Sequence, residues 1–400
     1  MPDHAAKTPT YAEFFCGGGM VRAALQDRWD CVLANDIDAM KCKVYAQNWG
    51  QAALHQGDIA TMPDDLLTRQ IDMYWASSPC QDFSLAGKGR GLGGARSGVF
   101  AHWADKIATA IKAGFAPRII AFENVVGLVS RNGGADMNTV LATFVRLGYK
   151  VGALEIDARR FLPQSRPRLF VVCVREDIDI SGLTVPKPSH VFHGKKLQKF
   201  LASATRPVRS NWVWWKLGDA PADEQALEGV LERRATMPWF SAADTDRLLT
   251  LMSPPSLERL RVARKAGRTV VGTIYKRGRP DADGNVRQRA ELRTDGIAGC
   301  LRTPAGGSSR QILMFIKGNQ TKARLVSSRE VARLMGLPCL SCAISTRCCS
   351  RPCWNVSHWG PSRERGAGVS GQGTGGADQS DRRLCAVRSG RQPDLCGPVG

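Results

Sequence analysis

The sequence predicts an α/β fold: a mostly parallel sheet with helices on both faces, joined to a smaller, irregular, basic segment. Three observations predict it. Over the first 175 residues short apolar runs alternate with amphipathic stretches, and such alternation builds a parallel sheet rather than a sandwich. Charge is segregated: residues 1–178 carry 20 Lys/Arg against 18 Asp/Glu, whereas residues 179–338 carry 28 against 14. The composition changes at Val185-Pro186-Lys187-Pro188 and again at Cys339.

The candidate strands are residues 11–15, 31–35, 71–76, 118–122 and 169–174, each a short apolar run. The candidate helices are residues 21–28, 39–49, 99–113 and 137–147. In a parallel sheet of this kind ligands bind beyond the carboxyl ends of the strands, and the motifs below fall there. After residue 188 the chain is basic and rich in tryptophan (Trp212, Trp214, Trp215, Trp239), which marks a second segment running to about residue 318. Helical periodicity returns over residues 328–335, with Ser327 or Ser328 as cap and Gly336-Leu337-Pro338 as stop.

The chain's formal charge of +20 and pI near 9.8 point to a polyanionic partner, with the middle segment as its face. No stretch of 18 apolar residues is present, so no membrane span is expected. The first residues lack a charged start and an apolar core, so a cytoplasmic protein with reduced thiols is expected. Of 13 cysteines, six precede residue 339 at spacings that fit neither a metal site nor a disulfide framework. The other seven fall in residues 339–400, a stretch with eight Arg, ten Gly, no Lys and no apolar period. That composition predicts a disordered or out-of-frame tail rather than a zinc module.

Cys80 follows the apolar run 71–76, in Ser78-Pro79-Cys80-Gln81, and a glycine-rich stretch follows it. A thiol at a strand end is placed like a nucleophile; the bland alternative is a buried structural cysteine. Glu13-Phe14-Phe15-Cys16-Gly17-Gly18-Gly19 turns from a strand into a helix, and its glycines let the backbone approach a ligand. Asp36 ends the second strand, where an acid can bind ribose hydroxyls, and Asp58 with Ile59 ends the next segment. Each acid alone is more often a turn or cap; the ordered set points to a nucleoside cofactor in a Rossmann-like sheet. Glu123 in Phe122-Glu123-Asn124-Val125 is a candidate general acid. Arg166 and Arg168, on alternate positions of Gln164-Ser165-Arg166-Pro167-Arg168, face one side of an extended chain and suit an anionic group.

As a set, Pro79-Cys80-Gln81, Glu123-Asn124-Val125 and Gln164-Ser165-Arg166-Pro167-Arg168 resemble the motifs of the cytosine-C5 DNA methyltransferase family, bacterial or phage type, in order and separation. The loop from Phe83 to Gly89 and residues 324–338 extend the resemblance, which covers residues 11–338. It implies S-adenosyl-L-methionine as cofactor, double-stranded DNA as partner, and methylation of a flipped cytosine at C5. Carried over, Cys80 would attack C6, Glu123 would hold N3 and the amine, and Arg168 and Arg166 would orient the base. Phe15, Gly17 and Gly19 would border the methionine part, Asp36 the ribose, and Ile37, Asp58 and Ile59 the adenine. No metal is implied. The implied layout is a catalytic domain at 1–180, target recognition at 185–318, a return helix at 319–338 and the tail at 339–400. Residues 294–307 resemble part of the recognition region.

The sequence departs from the family in three places. Met20 replaces a glycine, and Ile37 stands where an aromatic can stack on adenine. The family's last Gly-Asn helix is not found after Pro338, as in a truncated or frameshifted C-terminus. An impaired DNA-binding remnant is therefore the alternative to an active enzyme, and an RNA methyltransferase on a similar fold is a third reading. A monomer is expected; a cognate restriction endonuclease, not in physical contact, is left open.

Overall fold

A computed structural model of the chain describes residues 7–78, 98–218, 226–232, 234, 236–280, 284–301 and 310–337. The larger sheet has seven strands: β1 (Thr10–Phe14), β2 (Asp30–Asp36), β3 (Leu54–Gln56), β4 (Met73–Ala76), β5 (Ile119–Asn124), β6 (Tyr149–Asp157) and β7 (Pro167–Arg175). Their order is β3-β2-β1-β4-β5-β7-β6. The first five are parallel, and β7 runs antiparallel to both its neighbours. All five expected strands are present, with ends shifted by no more than two residues. β3 and β6 were not expected. β3 is too short to show a period. β6 is interrupted by Gly152, where a Cβ would meet the Trp215 ring at 2.6 Å, so packing removes the side chain that would have marked the strand.

Four helices cover this sheet: α1 (Met20–Leu25), α2 (Ala39–Trp49), α3 (Val99–Lys112) and α4 (Ala135–Arg146). Asp38 caps α2 by accepting from the backbone N–H of Met40 and Lys41. α3 turns Phe100, Trp103 and Ile107 inward, and α4 turns Met137, Val140, Leu141 and Phe144 inward, each at helical spacing. Their rings interlock with the sheet: Trp103 stacks on Phe122 at 5.8 Å, and Phe100 meets Phe144 edge-on at 5.8 Å. The chain moves outward from β1 through β2 to β3, then restarts on the other side at β4. The carboxyl ends of β1 and β4 therefore flank a topological switch point.

Next come a two-stranded ribbon, β8 (Thr184–Val185) with β9 (Trp214–Trp215), and the helices α5 (Lys195–Ser203) and α6 (Arg206–Ser210). Trp212 and Trp214 pack against the larger sheet's core, and Trp215 Nε1 donates to the Val172 carbonyl at 3.0 Å. Further on lie α7 (Leu227–Val230), α8 (Ala242–Thr250) and α9 (Pro254–Arg264). They precede a second sheet of β10 (Val270–Pro280), β11 (Val286–Arg293), β12 (Ile312–Lys317) and β13 (Gln320–Leu325). This sheet is antiparallel, ordered β11-β10-β12-β13. One face buries Ile274, Ala290, Leu292, Ile312 and Met314 against Leu248, Met252, Leu260 and Ala263 of the α8–α9 region.

Finally α10 (Ser328–Leu334) is closed by a capping box between Ser327 and Glu330 and stopped by Gly336 at φ 75°. Ala332 and Leu337 pack on Met20, Ala23 and Trp49, so this segment returns to the start of the larger sheet. Among the described residues no helix is long and apolar enough to cross a membrane. Residues 338–400 lie outside the described residues, and with them the expected tail.

Candidate active site

The glycine turn is built by β1 and β2 together. Cys16 N–H donates to the Asn35 carbonyl at 2.9 Å, and Gly17 N–H donates to Asp36 Oδ2 at 2.9 Å. Asp36 Oδ1 accepts from Asp38 N–H at 2.9 Å, so this 5 % exposed carboxylate ties the turn to the end of β2. Asn35 Nδ2 donates to the carbonyls of His55 and Gly57, which fixes the Asp58 turn beside it. Gly17 has φ 55° and nothing within 4 Å of where a Cβ would stand, so the turn is open on that side. Gly19 has φ 82° and the Trp49 indole fills the space its Cβ would need. Phe15 also has a positive φ, 58°.

Ile37 is 66 % exposed beside this opening, an apolar side chain left outward at a strand end. Asp58 is exposed and accepts from Ala60 N–H, while Ile59 places its side chain in the core. An open backbone turn, an accepting carboxylate and an exposed apolar side chain fit a nucleoside-bearing cofactor.

Glu13 belongs to the glycine-turn motif, and the sequence alone assigns it no role. It is 2 % exposed, and burial pushes its carboxyl up to about 8, against the pull of the Val21 and Arg22 N–H groups and the Arg22 charge. It lies beneath the glycine turn at the start of α1.

The second half of the site lies on β5 and β7. Arg168 Nε meets Glu123 Oε1 at 2.8 Å, with both side chains about one fifth exposed (18 % and 21 %). Arg166 N–H donates to Asp157 Oδ1 at 2.7 Å, and its Nη1 donates to the Leu301 carbonyl at 3.1 Å. Burial, and then the Arg168 charge, pull the Arg166 guanidinium below the usual arginine value. The two arginines thus lie near each other but hold different partners: Arg168 the carboxylate, Arg166 the segment before residue 302.

Three further residues position the site: Asn124 and Gln164, which the motifs contain without a role of their own, and Asp157, which no motif contains. Asn124 Nδ2 donates to the Ser78 carbonyl at 3.1 Å, which fastens the end of β4. Asp157 gathers the N–H groups of Arg159 and Arg166 and the Ser165 hydroxyl, and so shapes the turn between β6 and β7. Recognising Asp157 required recognising β6. Gln164, 1 % exposed, donates to the Leu334 carbonyl and accepts from Leu301 N–H, joining the turn between β6 and β7 to α10 and to the segment after β11. Cys80 and the loop from Phe83 to Gly89 lie outside the described residues, which end at Ser78 and resume at Gly98.

Residues 10–340 match the model of the C-5 cytosine-specific DNA methylase family. The type II methyltransferase M.HhaI of Haemophilus parahaemolyticus is 31 % identical over 180 residues, covering 44 % of this chain and 53 % of that protein. The type II methyltransferase M.Eco47II of Escherichia coli is 31 % identical over 183 residues, covering 45 % and 42 %. The chain therefore aligns with about half the length of these curated relatives. A solved structure of the S. pombe Dnmt2 methyltransferase aligns with a TM-score of 0.47 and 15 % identity, covering 85 % of this chain and 89 % of that one. By the match that spans residues 10–340, the chain belongs to the C-5 cytosine-specific DNA methylase family.

Proposed function

We propose that the chain methylates cytosine at C5 in duplex DNA, with S-adenosyl-L-methionine as donor and Cys80 as covalent nucleophile. The observation that carries the reading is the Glu123–Arg168 pair at 2.8 Å, at the strand end from which Asn124 fastens Ser78, two residues before Cys80 in sequence. A carboxyl group held there can grip the N3 and amine edge of a ring whose C6 faces a thiolate.

Cytosine C6 is a weak electrophile while N3 is neutral. As the Cys80 sulfur bonds to C6, the Glu123 carboxyl gives its proton to N3, and electron density gathers at C5. When bound at the glycine turn, S-adenosyl-L-methionine supplies the electrophilic methyl group that C5 takes. Loss of the C5 proton to a base then restores the C5–C6 double bond, expels the Cys80 thiolate and returns the N3 proton to Glu123. Arg168 holds one Glu123 oxygen and so fixes the angle of the other. The C5 atom is unreachable inside a stacked duplex, so the base must leave the stack, which costs a few kcal/mol.

Gly17, Asp36 and Ile37 would hold the cofactor by the open turn, the accepting carboxylate and the apolar edge. Asp58 and Ile59 would add the turn at the end of β3, and Phe15 and Gly19 the near wall.

Labelled-methyl transfer tests the proposal. The 400-residue chain should label mixed-sequence duplex DNA and not tRNA, and Cys80→Ser should abolish labelling. Labelling of tRNA alone, or undiminished labelling by Cys80→Ser, contradicts it.

A further inference from the structure

Residues 297–301 follow β11 and are fastened from two sides. Thr273 and Tyr275 stand two apart on β10, so their side chains leave the same face. Both reach this segment: the Thr273 hydroxyl donates to the Ile297 carbonyl at 3.3 Å, and the Tyr275 hydroxyl donates to the Cys300 carbonyl at 2.6 Å. Gln311, directly before β12 and 4 % exposed, completes the grip. With its amide nitrogen toward Tyr275, it donates to the Tyr275 oxygen at 2.9 Å and to the Gly299 carbonyl at 3.3 Å, and its oxygen accepts from Gly299 N–H at 3.2 Å. Gly299 permits the approach, because a Cβ there would meet the Tyr275 ring at 2.6 Å.

The same segment is bonded to the turn between β6 and β7. Ala298 N–H donates to the Pro163 carbonyl and Ser165 N–H donates to the Ala298 carbonyl, both at 2.8 Å, and Leu301 N–H donates to Gln164 Oε1 at 3.2 Å. Arg166 ends on the same few atoms: its Nη1 donates to the Leu301 carbonyl at 3.1 Å and to Cys300 Sγ at 3.5 Å. Where Cys300 and Leu301 stand therefore decides where this guanidinium stands, and with it the positive charge beside the Glu123–Arg168 pair.

We propose that Tyr275 is a positioning residue for Arg166. Its hydroxyl, itself held by Gln311, fixes the Cys300–Leu301 backbone on which the guanidinium ends, and so links the four-stranded sheet to the Glu123–Arg168 pair. The consequence for rate rests on the methyl-transfer reading above; the link itself does not. Tyr275 is 9 % exposed, so water does not readily replace a hydroxyl lost there. Tyr275→Phe keeps the ring against Gly299 and loses the bonds of the hydroxyl to Cys300 and Gln311. A misplacement of about 1 Å costs about 10²-fold in rate even when the substitution lies far from the chemistry.

The test compares Tyr275→Phe with Tyr149→Phe in the 400-residue chain; the buried Tyr149 hydroxyl donates to the Pro117 carbonyl at 2.7 Å. Methyl-transfer kcat should fall roughly 10- to 10²-fold in Tyr275→Phe, with KM for DNA unchanged, and should hold in Tyr149→Phe. Combined with Arg166→Lys, the two losses should not multiply, because both act at one guanidinium. Iodoacetamide labelling of Cys300 gives a readout without methyl transfer. It is followed by mass spectrometry on the tryptic peptide 294–302, which holds no other cysteine. Labelling should be faster in Tyr275→Phe than in the unsubstituted chain and unchanged in Tyr149→Phe. Losses that multiply, or labelling of Cys300 that rises equally in both variants or in neither, overturn the assignment. If the unsubstituted chain transfers no methyl group, faster labelling confined to Tyr275→Phe keeps the link and sinks only the enzyme reading.

Discussion

The two sheets handle charge in opposite ways. At the strand ends of the seven-stranded sheet, charged and polar groups are answered from within the chain: Glu123 by Arg168, Asp36 by the Gly17 and Asp38 N–H groups, Gln164 by backbone of two other elements. On the outward face of the four-stranded sheet, arginines of β10 stand directly opposite arginines of β11, and Glu291 meets the two on β10. Chemistry on a single ring needs groups fixed to a fraction of an ångström, and internal partners supply that fixity. Attraction for a polyanion comes from the summed field of a surface and does not need such fixity. The contrast predicts that substitutions in the first region change rate or stability, and those in the second change affinity and its salt dependence.

The largest expected effect is on catalysis. Glu123→Gln should lower methyl transfer roughly 10²- to 10⁴-fold and leave DNA affinity at fixed salt near that of the unsubstituted chain. Single-turnover kinetics with parallel binding curves check this; a variant that transfers normally and binds weakly would erase the contrast.

Next in size is the joint between the regions. Arg324 and Glu330 are buried at 1 % and 0 % side-chain exposure and joined by contacts of 2.8 and 2.6 Å. Glu330 also accepts from the Ser327 and Glu232 N–H groups. Arg324→Leu strands that carboxylate and should cost roughly 3–5 kcal/mol in urea unfolding. A loss below roughly 1 kcal/mol, the value of an exposed pair, would show that the pair is not a joint. Gln164→Ala leaves the Leu334 carbonyl and Leu301 N–H without their side-chain partner and should cost roughly 1–3 kcal/mol. It should also raise hydrogen exchange in residues 294–301, where the two regions meet.

The smallest expected change is in a slope. Burial is the main cause of the raised Glu13 value of about 8. A carboxyl group whose folded value is raised favours folding when protonated. Its contribution is present below the unfolded value of a glutamate, about 4.3, and is lost as pH rises through about 8. Glu330 has the opposite sign. Burial would raise it, but Arg324 and the N–H donors win, so its contribution is present above the unfolded value and is lost as pH falls through its lowered one. Glu13→Gln should therefore flatten the fall in stability between pH 5 and 8, measured as urea midpoints. An unaltered profile would mean that Glu13 is already ionised in the fold.

Much of the larger sheet was legible because its strands are apolar runs that end in turn residues. Glu123 was legible for the same reason, as an acid directly after four apolar residues. Asp157 was not, because Gly152 hides β6, and the hidden strand hid the acid at its end. Trp212, Trp214 and Trp215 looked like part of the basic segment by composition, yet their rings pack on the larger sheet. β10 was missed because its apolar half passes into alternating Lys, Arg and Gly, which erases the period that marks a strand. The arginine pairs became visible only through register, which no single strand reveals.

The central claim is that the Cys80 sulfur bonds to C6 of the cytosine held by Glu123. A duplex carrying 5-fluorocytosine tests it directly, because fluorine at C5 cannot leave as the proton does and the adduct persists. Incubated with S-adenosyl-L-methionine and run under denaturing conditions, the chain should migrate with the DNA as one covalent species, and Cys80→Ser should not. Equal adduct in Cys80→Ser, or methylation of ordinary DNA by a chain that never forms the adduct, would contradict the account.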